Sequence, residues 1–155
     1  MLAEDVGLSA VEAFIADHGM HASTPVDLDA IRDLYEIQLL PLSDATMGVA
    51  FVNEAGGVIG VNASLHPYEQ RMVVAHECSH FLLCHPNSLY LCRMNDWWYY
   101  RVEMEAQRAA AMLLLPAGPL ATMAIEGASL AEMQESFRVP SDLIRLRLKM
   151  ALPHL

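Results

Sequence analysis

The sequence predicts an α+β domain: a small, mainly antiparallel sheet packed on long helices, closed by a short C-terminal helical pair. Three observations predict it. Residues 48–53 and 58–64 are short apolar runs joined by Glu54-Ala55-Gly56-Gly57, a good hairpin turn. Residues 67–84 and 101–115 are long runs with helical periodicity, the first opened by Pro67 and the second stopped by Pro116. Residues 130–137 and 141–150 are two further short helical patterns.

In chain order, Leu8 to His18 has helical spacing, with Val11, Phe14 and Ile15 on its apolar face and Gly19 as its stop. Thr24-Pro25-Val26-Asp27 opens a second helix faced by Leu28, Ile31 and Leu34. Glu36 to Leu42 is strand-like, and the hairpin strands follow. The helix from Pro67 runs to about Cys84, where His85-Pro86-Asn87 ends it. Residues 87–98 read as an irregular segment with an aromatic cluster at its end, Trp97 to Tyr100. The apolar stretch Ala109 to Ile125 contains Pro116, Gly118 and Pro119, so it reads as a core helix plus a turn rather than a membrane span.

Composition narrows the function. The chain has 155 residues, enough for one domain with a real core, and 54% of them are hydrophobic. Its formal charge of −10 argues against a broad nucleic-acid surface, which requires basic groups. Three cysteines (Cys78, Cys84 and Cys92) and no apolar run after Met1 fit a reducing cytoplasm.

The chemistry sits at His76-Glu77-Cys78-Ser79-His80. Residues four apart share one helix face, so both imidazoles of an H-E-x-x-H run reach one metal ion, commonly Zn²⁺. Glu77 lies where it can take a proton from water activated by that metal. Apolar neighbours, Val73 to Ala75 and Phe81 to Leu83, make this a buried helix in which an unused glutamate would be costly.

A catalytic zinc site needs a third protein ligand. The metzincin extension would require glycine at Leu83 and histidine at Pro86, so it is absent. On the helix from Arg101, Ala106, Ala110 and Leu113 form a packed stripe that reaches back to Glu103. Glu103 is the favoured ligand. Glu105, rotated by about 200°, is the substitute.

Together these segments resemble the ImmA/IrrE family of zinc metallopeptidases. Arg71 to Leu83 is similar to that family's R, apolar, A-H-E-x-x-H helix, and Glu103 to Pro116 resembles its E-x-x-A-x-x-F-A-x-x-L-L-M-P run. Ala109 stands in place of the family's Phe, Leu115 in place of its Met, and Ser79 in place of its glycine. The resemblance covers roughly residues 25–150 and implies a gluzincin-like α+β core with a helix-turn-helix-like C-terminal module; the metallopeptidase domain is expected over residues 1–125, with residues 126–155 packed on it as a small helical module. The resemblance further implies zinc on His76, His80 and Glu103, catalysis by Glu77, and cleavage of a protein substrate, often a helix-turn-helix transcriptional repressor.

Three competing readings accompany this one. A catalytically weak module of the same fold would sequester a repressor without cutting it. Cys84 and Cys92 would complete a structural Cys₂His₂ zinc site but leave Glu77 without a role. Arg138, Arg145, Arg147 and Lys149 give the C-terminal pair a basic face, yet such a pair is more commonly a packing unit. His66, Tyr68, Tyr99 and Tyr100 are candidate oxyanion donors, with an ordinary aromatic cluster as the plainer account of the tyrosines.

Overall fold

The computed structural model describes residues 3–86 and 96–151. Seven α-helices and one three-stranded sheet are formed among the described residues. Helix α1 (Ala3–His18) ends at Gly19, whose left-handed backbone (φ 58°) suits a residue without a Cβ. A 3₁₀ turn (Met20–Ala22) and α2 (Asp29–Leu34) lead into strand β1 (Tyr35–Leu40).

Strands β2 (Gly48–Asn53) and β3 (Gly56–Asn62) form the expected hairpin with a two-residue loop, Glu54-Ala55. The Asn53 side chain accepts the Ala55 N–H at 2.9 Å, and Gly56 supplies the positive φ (128°). The sheet order is β1-β3-β2. The sheet is mixed rather than mainly antiparallel: β2 is antiparallel to β3, but β1 runs parallel to it, from Tyr35 opposite Gly57 to Leu40 opposite Asn62. Because β3 is central, its last five residues are buried.

The link between β1 and β2 is tied down by one buried side chain. Asn62 donates to the carbonyls of Ser43 (3.1 Å) and Thr46 (3.0 Å), and its oxygen accepts the Ser64 hydroxyl at 2.8 Å. A buried amide satisfied on both ends is worth keeping, whereas an unpaired one would cost about 1–3 kcal/mol. This pins residues 43–46 beside the active face.

Helix α3 (Pro67–Leu82) carries the H-E-x-x-H run, and His66 and Glu69 close a capping box at its start. Arg71 fastens its first half, donating to the Val26 carbonyl at 2.8 Å and the Arg138 carbonyl at 3.1 Å. Phe81 stacks on Tyr35 of β1 with ring centroids 4.7 Å apart. Helix α4 (Asp96–Leu114) packs along α3. It starts five residues before the predicted Arg101, so Trp97 to Tyr100 belong to its first turns. Its alanines are the reason for the close packing: Ala106, Ala109, Ala110 and Ala111 are all fully buried.

The turn expected after Pro116 is instead a helix, α5 (Ala117–Ile125), set at 77° to α4. Pro119 falls in its first turn, where the missing N–H would have had no intrahelical partner. The prolines therefore restart a helix. Among the described residues no single helix is long and apolar enough to cross a membrane.

Helices α6 (Leu130–Phe137) and α7 (Ser141–Ala151) match the predicted pair, joined through Arg138 in the left-handed region (φ 53°). Phe137, Val139, Leu143 and Ile144 join Ala109 to Leu115 and Val11 of α1 in one buried cluster. Arg147 turns inward and donates to the Leu115 carbonyl at 3.0 Å, capping the end of α4.

Candidate metal centre

His76 and His80 project from one face of α3 toward Glu103 of α4. Glu103 Oε2 lies 3.0 Å from His76 Nε2, and Oε1 lies 3.3 Å from His80 Nε2. The two Nε2 atoms are 3.2 Å apart. One donor atom from each residue falls within 4.8 Å of the others, a span that suits a single metal ion. The opposite ring nitrogens are engaged elsewhere. His76 Nδ1 meets Gln107 Oε1 at 2.7 Å, and His80 Nδ1 meets His85 Nδ1 at 3.0 Å. Bonding the rear nitrogens leaves both Nε2 atoms to the shared point, which is the arrangement a metal requires. The donor set therefore fits a metal ion.

Glu103 and Glu105 separate in role. Glu103 enters the donor group, while Glu105 Oε2 contacts His85 Nε2 at 3.1 Å and its Oε1 takes the Arg101 Nε–H at 3.1 Å. The substitute ligand is therefore one residue removed from the site. Two members of this setting had no role in the sequence reading. Gln107 lies one turn after Glu103 on the same face, a spacing that could have flagged it. His85 follows Cys84, whose left-handed backbone (φ 53°) turns the chain back toward α3, and no periodicity announces such a turn.

Glu77 lines a cavity of about 480 Å³ together with His76, Glu103, Gln107, Thr46, Met47, Gly48, Tyr99 and Tyr100. A Cβ on Gly48 would stand 2.4 Å from Val73 Cγ1 and 3.1 Å from Glu77 Oε1, so the bare glycine gives the carboxylate its room. Tyr99 and Tyr100 reach this cavity. His66 and Tyr68 do not: His66 caps α3 about 15 Å up the helix, and Tyr68 donates to Glu135 at 3.2 Å. Cys78 is buried, and burial pushes its thiol up to about 12, so it is a packing group. Ser79, also buried, donates to the Ala75 carbonyl at 2.7 Å and needs no other partner. Ala109 and Leu115 are fully buried packing residues. Cys84 is exposed. Cys92, its proposed companion in a structural zinc site, lies outside the described residues, as does His154.

Electrostatics bind the group together. Burial and the imidazoles act in opposite senses on Glu103; the His76 and His80 hydrogen bonds win and hold it well below the usual carboxylate range. Burial opposes charge on His76, but the Glu103 hydrogen bond and charge outweigh it and raise the imidazole above its ordinary 6.5. Glu77 moves the other way, raised chiefly by burial. His85 is lowered, chiefly by burial and against the pull of its hydrogen bond to Glu105. A raised His76 carries a proton around pH 6.5 that a metal must displace. Metal binding is therefore expected to release a proton at pH 6.5 and progressively less as pH rises through the His76 value. Calorimetric titration in buffers of different protonation enthalpy measures this directly; heats independent of the buffer at pH 6.5 would contradict it.

A helix bearing H-E-x-x-H, crossed by a second helix that supplies a glutamate beside a small sheet, is the arrangement of a zincin-like metallopeptidase domain. The model of the peptidase family described as the IrrE N-terminal-like domain matches residues 35–149, and the chain belongs to that family. No curated protein matches the chain. The family match begins at β1, yet Val11, Phe14 and Ile31 from the preceding helices are part of the same core.

Proposed function

We propose that this protein is a zinc-dependent endopeptidase that cuts another protein, with a helix-turn-helix transcriptional repressor as the substrate class. The observation that carries the reading is the convergence of His76 Nε2, His80 Nε2 and a Glu103 oxygen on one point, with Glu77 lining the adjoining cavity. Two histidines and one carboxylate suit zinc and leave a coordination position open. Zinc held there would polarise a peptide carbonyl and lower the pKa of water. Glu77 takes the proton from the attacking water and returns it to the leaving amine. Burial, by raising the pKa of Glu77, brings it nearer the pH at which a carboxyl group both accepts and releases protons.

The cavity also suits an extended peptide. Strand β2 is a sheet edge, and Gly48 at its start borders Glu77. A substrate segment adding to that edge would satisfy its own backbone groups while crossing the metal. The repressor assignment rests on the family resemblance. A DNA-binding substrate places the activity in the cytoplasm, and residues 1–125 carry the site, with 126–155 as a helical buttress. Direct nucleic-acid contact is not part of the proposal: the chain is acidic, and Arg147 of the C-terminal pair is committed to Leu115.

Incubation of the zinc-loaded protein with a repressor encoded beside it, read by intact mass, tests this reading. Two fragments whose masses sum to that of the repressor plus one water support cleavage. An intact repressor held in a zinc-dependent complex would instead favour sequestration.

A further inference from the structure

His80 is backed by a chain of side chains that the proposed reaction does not use. The Cys84 turn brings His85 under His80: the His85 N–H bonds to the His80 carbonyl at 2.9 Å, and the His85 side chain is only 7% exposed. From there the contacts run His80 Nδ1 to His85 Nδ1 (3.0 Å), His85 Nε2 to Glu105 Oε2 (3.1 Å) and Glu105 Oε1 to Arg101 Nε (3.1 Å).

The direction of every hydrogen bond in this chain follows from its far end. Arg101 can only donate, and an ionised Glu105 can only accept. His85 Nε2 must therefore carry the hydrogen that faces Glu105. A neutral His85 then has a lone pair at Nδ1, and across the 3.0 Å contact His80 Nδ1 must be the donor. With its Nδ1 hydrogen committed to His85, His80 keeps Nε2, on the side facing His76 and Glu103, as the nitrogen whose proton a metal displaces. A carboxylate and an imidazole in series thus select one His80 tautomer and one ring orientation. His76 receives the same service from a single amide, Gln107.

We propose that His85, oriented by Glu105 and Arg101, is a positioning residue that fixes His80 in the tautomer whose Nε2 binds the metal. The proposal rests on the metal reading above. It requires His85 for metal affinity and ligand geometry, and it gives Glu105 a role through His85 rather than as a ligand.

The test uses the full chain as wild type, His85→Ala, His85→Gln and Glu105→Ala. Zinc affinity is measured by competition with a chromophoric chelator, ligand geometry by the visible spectrum of the cobalt-loaded protein, and folding by metal-free thermal melts. His85→Ala is expected to weaken zinc binding by about 10–100-fold and to shift the cobalt bands. Glutamine can accept from His80 and donate to Glu105, so His85→Gln is expected to restore most of the affinity. Glu105 is one-third exposed, so Glu105→Ala tests the same chain without emptying buried space; its expected loss is roughly tenfold. Wild-type affinity in both alanine variants would overturn the proposal while leaving the metal site standing. A loss in His85→Ala that glutamine does not restore would also overturn it. A wild type that takes up no zinc would overturn both readings.

Discussion

Glu77→Gln is expected to keep its zinc and to lose cleavage by about 10²–10⁴-fold, the usual worth of a positioned general base. The substitution preserves shape and leaves the donors on His76, His80 and Glu103 untouched. What it removes is the capacity to hold a proton, the only chemical task the proposal gives this side chain. Stability should not fall. The carboxyl of Glu77 has a folded pKa raised by burial, so the folded state binds its proton more tightly than the unfolded chain does. Such a group favours folding at low pH and disfavours it as pH rises past the ordinary carboxylate value. A neutral amide escapes that cost at pH 7. Fragment yield against time, with zinc content measured on the same sample, decides the matter; undiminished cleavage in Glu77→Gln would remove Glu77 from the mechanism.

The second large effect is on the metal. Zinc at 100 times its dissociation constant should stabilise the wild type by about 2.7 kcal/mol. For a chain of this size that raises the melting temperature by roughly 5–10 °C. Glu103→Ala should melt at the same temperature with and without zinc. The variant leaves two imidazole nitrogens 3.2 Å apart without the carboxylate that bridges them, and it deletes the partner that raises His76. Proton release on zinc addition should disappear with it. A zinc-induced shift of wild-type size in Glu103→Ala, followed by differential scanning calorimetry, would show that the third ligand lies elsewhere.

Much of this site was legible before any coordinates because its signals are local. Four residues make one helical turn, so His76 and His80 declare a shared face by spacing alone. The alanine stripe of α4 identified the packed side of that helix, and Glu103 lies on it. The hairpin was equally plain, since Glu54-Ala55-Gly56-Gly57 carries the turn signal within four residues and Gly56 supplies the positive φ. What escaped depends on contacts between distant segments. Whether β1 runs parallel or antiparallel to β3 is decided by the path of residues 41–47, which Asn62 holds in place. Pro116 and Pro119 read as a stop because a proline that ends one helix and a proline that starts the next look alike in sequence. His85 read as the residue after a helix; only the left-handed Cys84 turns it back against His80. Glu105 points away from Glu103 by helical geometry, and that same rotation brings it to His85.

X-ray absorption at the zinc edge on the zinc-loaded protein tests the central claim most directly. The proposed site predicts two imidazole nitrogens at about 2.0–2.1 Å, oxygen donors at about 2.0–2.2 Å, and no sulfur in the first shell. A sulfur contribution at about 2.3 Å would contradict it and transfer the metal to a cysteine site.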